Sequence, residues 1–161
     1  MNEEMEDLNK LRQQRLKKYN ELEEMDIKGY GEKFQITHKA QEIEDNFEKL
    51  EDEMISIAGR IMAIRTHGKA SFVDIMDMSG QIQLYIRVDE IGEEEYEFFQ
   101  DLDMGDIIGL KGIVFKTNRG QVSVKVKEYQ LLTKSLRPLP EKFHGLKDKD
   151  LRYRQRYLDL L

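Results

Sequence analysis

The chain has no cysteine and no tryptophan among its 161 residues, and only two prolines and three histidines. Without cysteine there is no disulfide, no thiolate nucleophile and no cysteine-ligated zinc, and the composition fits a reducing compartment. His38, His67 and His144 stand far apart and show no metal-ligand spacing, so no metal site is expected. No apolar run reaches the roughly 18 residues of a membrane span, and the acidic Met1–Glu6 start lacks the basic leader and apolar stretch of a secretory signal. The expectation is a soluble, cytoplasmic protein with no membrane partner. Also missing are a phosphate-cradling glycine loop, a nucleophile elbow and a paired-histidine motif. Glu93, Glu94, Glu95 and Glu97 have no basic or metal-binding partner nearby in sequence and read as a solvated face, so no catalytic residues are assigned.

Net charge is −6, which alone argues against a phosphate-rich partner. Its distribution argues the other way. Acid gathers in Glu42–Glu53 and Asp89–Asp106, whereas Lys111, Lys116, Arg119, Lys125, Lys127 and Lys134 oppose only Glu128 across Lys111–Lys134. A second basic stretch follows at Arg137–Arg156. Segregation of this kind leaves room for a basic face on an acidic protein.

Three regions follow from the hydrophobic pattern: a helical extension over 1–52, a barrel over 53–134, and a linker with the beginning of a further domain over 135–161. In the first, Leu8, Leu11, Leu16, Tyr19, Leu22 and Met25 form a narrow helical stripe within Met1–Met25. Gly29-Tyr30-Gly31 ends that helix, and a second short helix is expected around Lys39–Leu50 with Thr37 as its N-cap. In the second region the segments Met54–Thr66, Ala70–Asp77, Gln81–Val88, Asp106–Lys116 and Gln121–Leu132 are rich in Ile, Val, Phe and Tyr and read as strands. Glu90–Leu102 reads as a helix, with Tyr96, Phe98, Phe99 and Leu102 apolar. Five strands with a helix between the third and fourth is the order of an OB-fold, a mainly β barrel that binds oligonucleotides or oligosaccharides across strands two and three and the adjoining loops. In the third region the two prolines make Leu136–Pro140 an extended connector, and Asp148–Leu161 is helix-like but uncapped.

Alternation on the second strand puts Val73 and Ile75 inward and therefore Phe72 and Asp74 outward. On the third, inward Ile82, Leu84, Ile86 and Val88 place Gln81, Gln83, Tyr85 and Arg87 on the same outer surface as Phe72. A flat ring beside amide and guanidinium groups stacks a base and bonds its Watson–Crick edge. A helix or loop lying over Phe72 is the competing reading. The loops that flank such a face carry cations, Arg65 and Lys69 between the first two strands, Lys116 and Arg119 between the last two.

The blocks Gly68–Phe72, Gly80–Tyr85, Gly105–Gly109, Phe115–Thr117, Leu136–Leu146 and Arg152–Leu160 resemble bacterial class II lysyl-tRNA synthetases over nearly the whole chain. The Leu136–Leu146 run is the most specific, since the related aspartyl and asparaginyl enzymes share the barrel and a shorter Arg-Tyr-Leu-Asp-Leu ending. The resemblance implies an anticodon-binding domain in which Phe72 stacks on the middle anticodon base, Gln83 bonds its edge and Arg65 assists. Related enzymes carry a Glu where this chain has Gln121, at the contact to the first anticodon base; an amide donates and accepts where a carboxylate only accepts. Lys116 and Arg119 join this set, with Lys69, Tyr85 and Arg87 as secondary RNA contacts. The implied partner is the anticodon stem-loop of the lysine tRNA. The full-length enzyme is implied to ligate lysine to tRNA with ATP and Mg²⁺ as a homodimer, with the catalytic segments beyond Leu161; this chain alone is then an inactive RNA-binding part that needs no cofactor. The alternatives are an aspartyl or asparaginyl anticodon domain, a free-standing single-strand-binding OB protein, and a protein or oligosaccharide adaptor.

Overall fold

A strand of 14 residues, β1 (Met54–His67), is too long to keep a single partner, and in the computed structural model, which describes residues 2–25 and 33–136, it uses two. Its first half, Met54–Arg60, pairs antiparallel with β4 (Ile107–Lys116), and its second half, Arg60–His67, pairs with β2 (Ala70–Met76). The switch coincides with a register shift between Ile61 and Ala63, a bulge of the kind that bends a strand and lets a sheet close. β2 continues antiparallel to β3 (Gln81–Arg87), and β5 (Val122–Thr133) lies antiparallel to β4. A short parallel pairing of β3 with β5 closes the barrel in the order β1-β2-β3-β5-β4. The expected OB-fold is therefore the observed architecture, with every strand where the pattern placed it to within a residue or two.

Alternation fills the barrel. Ile57, Ile61, Val73, Ile75, Leu84, Ile86, Leu110, Val114, Val124 and Val126 are all sealed inside, and they are the β-branched and leucine side chains that suit a pleated, half-buried surface. Gly112 on β4 is required by a close approach, because a Cβ there would run into the backbone oxygen of Lys125 and the side chain of Val124. The helix expected over Glu90–Leu102 is two, α4 (Val88–Ile91) and α5 (Glu93–Gln100), broken at Gly92, whose φ of 91° is open to glycine and not to a residue continuing a helix. Tyr96, Phe99 and Leu102 join the core cluster of the barrel, and a buried 2.8 Å hydrogen bond joins Tyr96 Oη to Ser71 Oγ.

The second expected helix is likewise split, into α2 (Ala40–Asp45) and α3 (Phe47–Leu50), with Asn46 between them. Thr37 is not its N-cap. Lys39 holds that position, its backbone N–H donating to Glu42 Oε2 at 2.9 Å, while the Thr37 hydroxyl is taken by β1, where it accepts from Ser56 N at 2.9 Å. The start of α2 is held further by Asp77 and Ser79, which accept from the backbone of Ala40 and Gln41. The Gly29–Gly31 turn, the Leu136–Pro140 connector past Leu136 and the closing helix fall outside the described residues.

Along α1 (Asn2–Glu24) only Leu22 of the expected stripe is buried; Leu8, Leu11, Leu16 and Met25 are exposed. Polar contacts hold this helix instead. Lys18 Nζ donates to Asp101 O and Asp103 Oδ1 at 3.0 and 3.1 Å, and Arg15 reaches Ser135 O at 3.2 Å.

Two carboxyls in these connections are held below the ordinary range. Burial pushes Asp77 upward, but hydrogen bonds from Ser79, Ala40 and Gly80 outweigh it; burial likewise acts on Asp103, where Lys134 and Lys18 prevail. A carboxyl depressed by folding adds stability that is complete above its unfolded pKa of about 3.9 and is lost as pH falls through the folded value. Asp77→Asn is thus expected to be less stable than the parent in urea titrations at neutral pH, with the gap closing as pH drops below about 4. A gap that stays constant with pH would rule out this contribution.

Candidate nucleic-acid interface

Residues that point out of β2 and β3 meet across the strands in a defined order. Phe72 lies opposite Tyr85, and Asp74 opposite Gln83. On the β1 side Arg65 is opposite Phe72; on the β5 side Ser123 is opposite Gln83 and Lys125 opposite Tyr85. β4 then places Phe115 opposite Ser123. The outer face of the barrel therefore carries a ring-bearing band that crosses four strands. Phe72 and Tyr85 stack with centroids 4.9 Å apart and planes 27° apart, Tyr85 tilts toward Phe115 at 6.0 Å, and Lys125 Nζ sits 5.8 Å from the Phe115 ring. All three rings are half-exposed. Lys18 and Arg15 of α1 reach Asp101, Asp103 and Ser135, and Phe72 keeps part of its surface exposed.

The polar groups on this face are prearranged. Arg65 makes a forked pair with Asp74, Nη1 to Oδ2 at 2.9 Å and Nη2 to Oδ1 at 3.2 Å, a geometry that holds the guanidinium beside Phe72. The Asp74 hydrogen bond raises the Arg65 pKa above its ordinary value, against a smaller opposing effect of burial. Gln83 Oε1 accepts from Ser123 Oγ at 3.0 Å. Among the described residues Gln83 Nε2 has no hydrogen-bond acceptor, and Gln83 is partly exposed.

Turns at both edges supply the cations. Lys69 is exposed in the β1–β2 turn. In the β4–β5 turn Arg119 and Gln121 are exposed, and the turn itself is closed by Thr117, whose N–H donates to Gln121 O at 2.9 Å and whose hydroxyl accepts from Gln121 N at 3.1 Å. Lys116 is exposed and lies 4.5 Å from the Phe47 ring centroid of α3, a cation–π contact that leaves its charge at the surface. Among the described residues Lys69 and Arg119 have no ion-pair partner, which leaves both charges available to phosphate. Arg87 is at the far end of β3, opposite Ala70, and pairs with Asp89 at 2.6 Å.

Of the residues chosen from sequence, Arg65, Phe72, Gln83 and Tyr85 share one face across β1, β2 and β3, Lys69, Arg119 and Gln121 are exposed in the two turns, Lys116 lies against Phe47 of α3, and Arg87 pairs with Asp89. Three members of the face are not among the expected contacts, Phe115, Ser123 and Lys125, and Asp74, expected to face outward, is in addition the partner of Arg65. Alternation with Val124 and Val126 marks Ser123 and Lys125 as outward-facing, but only the β3–β5 closure brings them beside Gln83 and Tyr85. Among the described residues no group of three or more His, Asp or Glu side chains is placed to hold a metal ion, and no helix is long and apolar enough to cross a membrane.

Residues 55–132 match the tRNA anti-codon family, described as an OB-fold nucleic acid binding domain. The chain is 57% identical to a lysine–tRNA ligase of Carboxydothermus hydrogenoformans over 158 residues, 98% of this chain and 32% of that protein. It is 56% identical to the lysine–tRNA ligase of Moorella thermoacetica over 147 residues, 91% of this chain and 30% of that one, and 50% identical to that of Syntrophomonas wolfei subsp. wolfei over 161 residues, 100% and 33%. The chain thus spans about a third of the length of the curated relatives it matches.

Proposed function

We propose a function from the premise that residues 55–132 belong to the tRNA anti-codon family of OB-fold nucleic acid binding domains and that the chain is a homologue of lysine–tRNA ligases. The barrel grips the anticodon loop of a lysine-accepting tRNA, as the RNA-reading part of an enzyme that joins lysine to that tRNA. The observation that carries this reading is the half-exposed Phe72–Tyr85 ring pair beside the Gln83 carboxamide, on the strand two and three face that OB-folds use for oligonucleotides. Phe72 offers its open side to the middle anticodon base, Gln83 bonds that base's edge, and Arg65 contacts it with the guanidinium nitrogens not spent on Asp74. Lys69, Lys116 and Arg119 engage phosphates on either side, and Gln121 reaches the first anticodon base.

The reaction itself, activation of lysine with ATP and Mg²⁺ and its transfer to the tRNA, is assigned to the whole ligase acting as a homodimer in the cytoplasm, and no residue of this chain is given a catalytic role in it. The aspartyl-type domain and the free-standing single-strand binder differ in what they prefer. A reader of the lysine anticodon binds a lysine anticodon stem-loop more tightly than an aspartate one at both low and high salt, and its affinity for each falls with salt as phosphate contacts release counterions. Filter-binding or fluorescence titrations of the two stem-loops at two salt concentrations test this. Equal affinity for both loops and for an unstructured uridine-rich strand would favour a sequence-indifferent coat protein, and the absence of any salt-dependent binding would remove RNA as the partner.

A further inference from the structure

A carboxamide is a recognition group with a built-in ambiguity. One end is an acceptor with two lone pairs and the other carries two N–H donors, and a half-turn about the last side-chain bond exchanges them. Uracil and cytosine differ by the same exchange. Uracil presents an N3–H donor between two carbonyl acceptors, whereas cytosine presents an N3 acceptor beside an amino donor. A glutamine free to turn over pairs with either pyrimidine through two hydrogen bonds; a glutamine held in one orientation pairs with only one of them.

In this barrel Gln83 is held. Its Oε1 accepts from Ser123 Oγ at 3.0 Å, across the parallel β3–β5 pairing in which these two residues are direct partners. Ser123 is fully buried, so its single hydroxyl proton has no water to turn to; a Gln83 turned over would donate Nε2–H to Ser123 Oγ and leave that proton only the longer bond to Gln121 O at 3.4 Å, which is the cost that favours the orientation seen. Held this way, Gln83 has one lone pair left on Oε1 and both Nε2 protons free, an acceptor next to donors. That array meets the N3–H and an adjacent carbonyl of uracil. It puts a donor against the amino group and an acceptor against N3 of a cytosine in the same seat. We propose that Ser123 is a positioning residue that locks the Gln83 carboxamide in the orientation that takes uridine and rejects cytidine at the base stacked on Phe72. The proposal rests on the anticodon reading above and adds to it the residue that sets the choice between the two pyrimidines.

The test uses anticodon stem-loops with uridine or cytidine at the middle position, titrated against the parent chain, Ser123→Ala, Gln83→Ala and the double variant. The parent is expected to prefer uridine. Ser123→Ala removes a hydroxyl and adds no bulk, and it is expected to lower the uridine-over-cytidine ratio by roughly 3- to 10-fold, the worth of one net hydrogen bond. In the Gln83→Ala background the same change is expected to leave the ratio where it is, since Ser123 then has nothing to orient; a general loosening of the barrel would weaken both loops alike in both backgrounds. Ser123→Gly, which also lacks the hydroxyl, should reproduce the effect, with circular dichroism reporting that the barrel is intact. An unchanged ratio in folded Ser123→Ala or Ser123→Gly, or a change that persists without Gln83, overturns the role of Ser123 while leaving the anticodon reading in place. A parent chain that binds neither loop, or both equally, overturns that reading and the role of Ser123 together.

Discussion

Phe72→Ala is expected to weaken binding of a lysine anticodon stem-loop by roughly 5- to 150-fold, because stacking of one base on an aromatic ring contributes about 1–3 kcal/mol. The ring is half-exposed and outside the barrel core, so most of the loss should fall on binding and little on folding. Its partner in the stack, Tyr85, supports the face from one side at 4.9 Å and cannot replace it, since the base would have to move one strand further from Arg65. Salt separates this effect from an electrostatic one. Binding strength depends on salt through the number of phosphates neutralised, which Phe72 does not change, so the slope of log affinity against log salt should be that of the parent. Arg119→Ala should do the reverse, flattening the slope by about one unit with a smaller loss at high salt. A titration curve for Phe72→Ala that overlays the parent would take the ring out of the interface.

The difference between what was and was not legible in the residues follows from how far each signal has to travel along the chain. Val73, Ile75, Leu84 and Ile86 announce their strands through a period of two, and the same parity turns Phe72, Tyr85 and Gln83 outward; both are local facts, and both agree with the barrel. The two helix breaks are also local but weak. Gly92 sits inside an otherwise helical pattern, where a single glycine costs only about 1 kcal/mol, so the pattern alone does not distinguish a tolerated glycine from one that adopts a positive φ. Thr37 is suited to an N-cap and to a strand contact alike, and Ser56, nineteen positions on, decides between them. Long-range closure is the part that sequence periodicity does not carry. The parallel β3–β5 pairing links residues forty positions apart, and it alone puts Ser123 against Gln83. The Arg65–Asp74 fork is a related case: each residue is visible on its own strand, and their meeting depends on a β1–β2 register set by the intervening turn. The stripe on α1 shows the converse, a strong local pattern of which only Leu22 joins the core, while Arg15 and Lys18 make the polar contacts to Ser135 and Asp101.

Lys134 is expected to be the most sensitive charged position for stability. Its ammonium is almost completely buried and lies 2.7 Å from Asp106 and 2.5 Å from Asp103, and Asp106 is itself fully buried. The Asp106 carboxylate is well supplied in this setting, accepting from Asp103 N at 2.9 Å and Ser135 N at 2.8 Å as well as from Lys134. These bonds join the entry to β4, the exit from β5 and, through Lys18 and Arg15, the α1 helix. A buried ion pair of this kind is weak evidence of net stabilisation, since removing two charges from water offsets much of their attraction, but deleting one member leaves the other charged and unpaired at a cost of about 3–5 kcal/mol. Lys134→Met keeps most of the length of the side chain, ending one atom short, and removes the charge, so in urea unfolding it should lose about that amount. Combining it with Asp106→Asn, which keeps an acceptor for the two backbone N–H groups and discards the orphaned charge, should recover part of the loss, giving a double variant more stable than the sum of the single changes. Residual charge on Asp103 should matter less, because Asp103 is partly exposed and Lys18 remains at 3.1 Å. Strictly additive effects would mean that Lys134 and Asp106 do not sense each other's charge, and the buried pair would then have no part in coupling the entry to β4 with the exit from β5.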